Sequence, residues 1–205
     1  VSYDAAALVE PLACCVKVIS QRTPIAPGDV VLISGPGPIG LMCACLARLS
    51  GARVVVAGTA ADADRLKTAK EQGASYTVDV SQENVVELVQ ELTEGQGADV
   101  VADCGGSAGS VNQCLDAVRP LGAYAQVALI DHPIDVNFGR IVYKQLRVQG
   151  GISQNWSAWH KTLDLVRTGT VDLTQFVSHR LPLEDWETAF EGAENKVGLK
   201  YLLCP

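Results

Sequence analysis

Apolar residues in this chain fall into short unbroken runs separated by longer amphipathic stretches. VVLIS (Val30 to Ser34), ARVVVA (Ala52 to Ala57), SYTVDV (Ser75 to Val80), ADVVADC (Ala98 to Cys104), AYAQVAL (Ala123 to Leu129) and LRVQG (Leu146 to Gly150) form one series. Each is too short for a helix, and a continuous apolar run of this length fits a strand buried on both faces. Between them lie helical patterns: Leu41 to Ser50 stopping at Gly51, Asp62 to Gln72 at Gly73, Glu83 to Glu94 at Gly95, and Ala108 to Val118 before Arg119-Pro120. Strands that alternate with helices specify a parallel sheet with helices on both faces. Right-handed crossovers make it doubly wound. The predicted fold is therefore α/β: a six-stranded, doubly wound parallel sheet of the Rossmann type.

Two flanking segments complete the pattern. Ser2 to Gln21 is Ala-rich and reads as one helix, closed off by Thr23-Pro24 and Pro27-Gly28. After Gly151 the texture changes to two amphipathic helices, 155–169 and 183–195, and a short closing strand, LKYLLC. The expected organisation is a linker helix over 1–25, the doubly wound domain over 26–152, and a tail over 153–205 packed on that domain. No repeat or low-complexity stretch interrupts it.

The turn after the first buried strand reads Gly35-Pro36-Gly37-Pro38-Ile39-Gly40, a G-x-G-x-x-G that opens a helix. In a βαβ unit this spacing has a mechanism. The first glycine permits the tight turn, the second lets backbone approach a pyrophosphate, and the third lets helix pack on strand. Amides and dipole at the helix start favour the phosphate charge. The predicted cofactor is NAD or NADP.

Which of the two depends on the end of the second strand, where an NAD site carries a carboxylate for the ribose 2′-hydroxyl. Here Gly58 and Thr59 stand in that place. Thr59 offers a hydroxyl and Arg65 a cation, which favours NADP. Asp62 and Asp64 flank Arg65, and an Asp62 folded back over the site favours NAD instead.

Composition narrows the class further. The 16 basic and 23 acidic residues give a net charge of −7, without the basic face a nucleic-acid binder needs. No apolar run approaches a membrane span, and VSYDAAALVE lacks the basic start of a signal peptide. The seven cysteines include no C-x-x-C pair, so they read as reduced, mostly buried thiols, with Cys14 and Cys15 in the core of the first helix. These features give a cytoplasmic protein as the expectation.

Other chemistries are unsupported. Tyr143 and Lys144 are adjacent, not four apart as one helix face requires. His160 directly follows Trp159 on an amphipathic helix that also carries Trp156, and reads as a surface or packing residue. There is no G-x-S-x-G and no G-K-[ST] after the glycine turn.

GDVVLISGPGPIGLMCACLARLSGARVVVAG, DRLKTAKEQGA, GADVVADCGGSAGSVNQCLDAVRPLGAYAQVAL and LPLEDWETAFEGAENKVGLKYLL together resemble the cofactor-binding half of zinc-dependent medium-chain dehydrogenases. The likeness is to the sorbitol, threonine and polyol branch and covers nearly the whole chain. It implies hydride transfer between nicotinamide and an alcohol, polyol or ketone, with catalytic residues and zinc ligands on a domain outside this chain. The expectation is an excised cofactor-binding domain that binds dinucleotide and turns over no substrate alone.

The resemblance also implies residue roles. Cys104 and Gly105 approach the cofactor ribose. Val127, Ala128, Leu129, Gly151 and Ile152 border the nicotinamide, and Lys200 meets the pyrophosphate. Glu10, in VEPLACC, corresponds to a glutamate at or near the catalytic zinc, although one glutamate cannot hold that ion. Relatives pair their sixth strand across a dimer axis, so a homodimer through LRVQG is expected. A zinc-independent quinone or enone reductase and a non-catalytic dinucleotide-sensing domain remain as alternatives, with a methyltransferase further behind.

Overall fold

A computed structural model describes residues 1–205. The strands are β1 (Val30–Ser34), β2 (Arg53–Gly58), β3 (Tyr76–Asp79), β4 (Ala98–Asp103), β5 (Val118–Gln126) and β6 (Arg147–Gly150). They form one parallel sheet in the order β3-β2-β1-β4-β5-β6. Strand order reverses between β1 and β4, the place where doubly wound sheets bind ligands.

Every residue of β1 is buried, which is why VVLIS carries no polar alternation. Helices α3 (Pro38–Leu49) and α4 (Ala63–Glu71) follow β1 and β2, and α5 (Val85–Leu92) and α6 (Ala108–Ala117) follow β3 and β4. Two apolar layers result. The larger joins Leu41, Val31, Ile33 and Val56 to the N-terminal helices and Phe176. The smaller joins Leu32, Val55 and Val101 to α5 and α6 through Val89 and Leu115.

Three differences from the sequence reading have local causes. The first helix is not continuous: Tyr3–Ala7 and Val9–Cys15 are separate helices, α1 and α2, hinged at Leu8, and Val16–Arg22 continues as a wide π-type turn. Pro11 explains the hinge. Its ring cannot sit against the carbonyl of residue 7 in a continuous helix, but it fits the first turn of a new one.

The fifth strand spans Val118–Gln126 instead of Ala123 to Leu129. Pro120 forces Arg119 into extended backbone, so α6 stops at Ala117 and the strand starts at once. Val127, Ala128 and Leu129 therefore lie just beyond the strand, not at its end. A short helix, α7 (Gly139–Tyr143), precedes β6. Lys144 follows it, and its ammonium donates to the carbonyls of Leu115 (2.9 Å), Asp116 (2.7 Å) and Val118 (2.6 Å). That gives the lysine a structural task as the C-terminal tie of α6.

The tail contains more strand than its sequence suggests. After α8 (Trp156–Arg167) comes β7 (Val177–Pro182), then α9 (Trp186–Glu194) and β8 (Lys200–Cys204). β7 and β8 pair in parallel as a second, two-stranded sheet. The turn between α9 and β8 reaches back to the main sheet beside α4: the Arg65 Nε donates to the Gly198 carbonyl at 2.9 Å.

Candidate functional site

The glycine turn closes β1 onto α3. Gly35 has φ +100°, in the left-handed region open mainly to glycine, and a side chain there meets the Cys104–Gly105 backbone at 2.8 Å. A methyl on Gly40 collides with the Gly35 carbonyl oxygen. Gly37 differs: its φ is −68° and nothing lies within 4 Å of where a side chain would start. Glycine at 35 and 40 is needed for packing. At 37 it keeps the space above the turn open.

The start of α3 faces that space without a side-chain cap, and Pro38 at its first position has no N–H. The amides of Ile39 and Gly40 are left for another partner. A helix start of this kind is an anion site in waiting.

The surrounding cleft has a volume of about 550 Å³ and is lined by Gly35, Gly37, Gly58, Thr59, Asp62, Arg65, Cys104, Gly105 and Lys196, among others. A second hollow of about 540 Å³ lies over the ends of β5 and β6. Ala128, Leu129, Gly151 and Ile152 line it, with Lys17 and Arg22 from the π-type turn. Both volumes are in the range of small-molecule sites. An elongated ligand with an anionic middle fits the glycine turn between an open cleft and a second hollow at the same strand ends.

Most predicted residues come together in these two hollows; the others stand apart for identifiable reasons. Gly40 and Ile39 lie beneath the turn, where Ile39 accepts the Cys15 thiol at 3.7 Å. Val127 packs on the apolar layer. Lys200 lines a neighbouring hollow with Pro38 and Arg65, not the cleft itself.

The ribose corner takes the alternative form that the sequence tied to NAD. Asp62 does fold back. Its Oδ2 accepts the Thr59 amide at 3.1 Å and the Thr59 hydroxyl at 2.8 Å, and its Oδ1 accepts Lys196 Nζ at 3.1 Å. The Thr59 proton is thus committed to Asp62 and not free for a ligand. Burial alone would raise the Asp62 carboxyl, but the two Thr59 bonds and Lys196 outweigh it and hold it below the usual range.

Asp103 organises the turn after β4. It is fully buried, and its carboxylate accepts the amides of Gly105 (3.3 Å) and Gly106 (3.1 Å) and the Gln126 side chain (2.8 Å). Its carbonyl accepts the amides of Val127 and Ala128, both at 2.9 Å. One residue therefore sets both the β4–α6 turn and the β5 exit, which border the two hollows. No motif marks it in the sequence.

Glu10 is exposed on α2 and accepts a hydrogen bond from Cys14 at 3.3 Å. Partial burial, then Glu10, pushes the Cys14 thiol up to about 12, so it stays protonated. No group of three or more His, Cys, Asp or Glu side chains could hold a metal ion. The residues of this chain do not by themselves compose a zinc site. All seven cysteines are free thiols, four of them buried. No helix is long and apolar enough to cross a membrane.

Residues 38–168 match the family described as zinc-binding dehydrogenase. Over 201 residues the chain is 40% identical to the sorbitol dehydrogenase of Halalkalibacterium halodurans, covering 98% of this chain and 58% of that protein. It is 36% identical to the D-arabitol-phosphate dehydrogenase of Enterococcus avium, covering 96% and 57%. Among solved structures, a zinc-binding dehydrogenase from Sinorhizobium meliloti 1021 bound to NADP superposes with a TM-score of 0.85 at 30% identity, covering 98% and 59%. The chain spans a little over half the length of the curated relatives it matches.

Proposed function

The chain belongs to the zinc-binding dehydrogenase family, and on that premise we propose that it is the NAD(P)-binding part of an alcohol or polyol dehydrogenase. The observation that carries the reading is the uncapped, sterically open start of α3, set between two hollows at the carboxyl ends of the strands. The dinucleotide bound in the Sinorhizobium meliloti relative supports it.

In this reading the amides at Gly37, Ile39 and Gly40 hold the pyrophosphate. Gly58, Thr59 and Arg65 border the adenosine ribose, with Cys104 and Gly105 beside it. Val127, Ala128, Leu129, Gly151 and Ile152 shape the nicotinamide end, and Pro38 with Lys200 flanks the phosphates. The nicotinamide, when bound, supplies the carbon that accepts or gives hydride. These residues contribute orientation, fixing the ring so that transfer is effectively intramolecular. Substrate, an alcohol, polyol or ketone, and zinc would be engaged by further groups of the whole enzyme, with Glu10 the residue of this chain proposed at or near the zinc.

Calorimetric titration of the 205-residue chain with NADPH and NADH tests the reading. Both are expected to bind, and Arg65→Ala is expected to weaken NADPH by about tenfold, one charge-assisted contact, and NADH less. No heat with either dinucleotide would sink the proposal.

A cytoplasmic homodimer is the proposed setting, supported by the free thiols and by the edge strand β6. That edge is unpaired, with Val148 on it and Phe138, Val142 and Tyr143 exposed nearby. Open edges of this sort are normally covered. Light scattering is expected to give twice the 21.7 kDa chain mass; a monomer at high concentration rejects the dimer.

A further inference from the structure

The ribose corner contains a side chain that neither the glycine motif nor the end of β2 accounts for. Lys196 comes from the turn between α9 and β8, 134 residues after Asp62 in sequence, yet it lines the same cleft as Gly58 and Thr59. Its backbone is in the left-handed region, φ +59°. That conformation closes α9 in a Schellman cap: the Lys196 amide donates to the Ala193 carbonyl at 3.2 Å and the Val197 amide to the Gly192 carbonyl at 2.8 Å. Two further bonds hold the rest of the turn: Arg65 donates to the Gly198 carbonyl at 2.9 Å, and the Leu199 amide donates to the Ser178 hydroxyl at 2.6 Å. The turn is pinned on both sides, and Lys196 is aimed at Asp62.

The two charges are unequally placed. The Asp62 side chain is 8% exposed and the Lys196 side chain 48%. Both Asp62 oxygens already accept hydrogen bonds, from Thr59 and from Lys196. Lys196 has three N–H donors, of which Asp62 takes one. A carboxylate with three of its roughly four acceptor positions taken has little left for a ribose hydroxyl. An ammonium with donors to spare on the open side is a good partner for a phosphate.

We propose that Lys196 selects the dinucleotide. By occupying Asp62 it withdraws the carboxylate that would favour a 2′-hydroxyl, and it offers its remaining donors to a 2′-phosphate. Together Lys196, Arg65 and Asp62 leave one net positive charge at the corner, so NADPH is preferred over NADH. This rests on the dinucleotide reading of the cleft given above.

The decisive variant is Lys196→Met, which keeps the length of the side chain and removes its charge. Lys196→Arg, which keeps the charge, controls for packing, and thermal melts confirm that both fold. Calorimetry with NADPH and NADH on the 205-residue chain is expected to show Lys196→Met weakening NADPH about tenfold or more. NADH binding should hold or tighten as Asp62 is freed, and Lys196→Arg should keep the wild-type preference. Equal weakening of both dinucleotides, no weakening of either, or a wild type that prefers NADH overturns the assignment. A wild type that binds neither dinucleotide overturns the reading of the cleft itself.

Discussion

Gly40→Ala is expected to unfold the phosphate turn, and Gly37→Ala to leave it folded but with weakened dinucleotide binding. The same methyl is added three residues apart, so the contrast isolates what each glycine does. At Gly40 it is driven into the carbonyl oxygen of Gly35, with the Cys104 side chain 3.4 Å away. Backbone cannot swing aside as a flexible side chain can, so α3 must lift from β1. Overpacking of this kind costs about 3 kcal/mol or more. In a domain of this size that is a fall in melting temperature of roughly 6–12 °C.

At Gly37 the methyl meets nothing within 4 Å, and φ −68° suits any residue. The stability cost is the loss of a good N-cap residue, about 0.5–1 kcal/mol. The open volume it fills is where a pyrophosphate must approach the amides. An overpacked methyl there weakens NADPH by about tenfold or more. Melting curves and titrations on both variants give the test. A wild-type melting temperature for Gly40→Ala, or wild-type affinity for Gly37→Ala, contradicts this account.

Much of this was legible in the sequence, for physical reasons. Strands buried on both faces leave unbroken apolar runs, so VVLIS, ARVVVA and ADVVADC announce β1, β2 and β4 directly. The glycine turn is legible because steric demands at Gly35 and Gly40 admit one residue type. The sequence reading extended the fifth strand too far because Val127 and Leu129 are apolar. The strand ends at Gln126, whose amide turns to Asp103 and the Ala128 carbonyl.

Two features of the ribose corner differ in how visible they were. Thr59-x-x-Asp62 is the pattern of a capping box, so the folded-back aspartate had a local signal. Lys196 had none. Its place depends on a turn pinned by Arg65 and Ser178 from distant elements. The β7–β8 pair was half visible for a similar reason, since β7 alternates exposure only mildly and is defined by its partner.

Asp103→Ala is expected to be the most damaging change that alters no glycine. The carboxylate is fully buried and is held by three N–H donors, with no cation among its hydrogen-bond partners. Removing it strands the amides of Gly105 and Gly106 and the Gln126 side chain away from water. Each buried donor left without a partner costs about 1–3 kcal/mol, and part of that is recovered by relaxation. A net loss of about 3–5 kcal/mol follows, or roughly 6–20 °C in melting temperature.

Asp103→Asn is the informative partner, because the amide keeps one acceptor and turns the other into a donor. That donor faces either a glycine amide or the Gln126 amide, so about half the loss should remain. Binding must fall with stability, because Gly105 lines the cleft and the Asp103 carbonyl carries Val127 and Ala128 at the β5 exit. A variant that melts early yet binds NADPH at wild-type affinity would show that the turn is held by the Asp103 backbone alone. The expected coupled loss instead assigns the side chain the task of keeping both hollows in register along one dinucleotide.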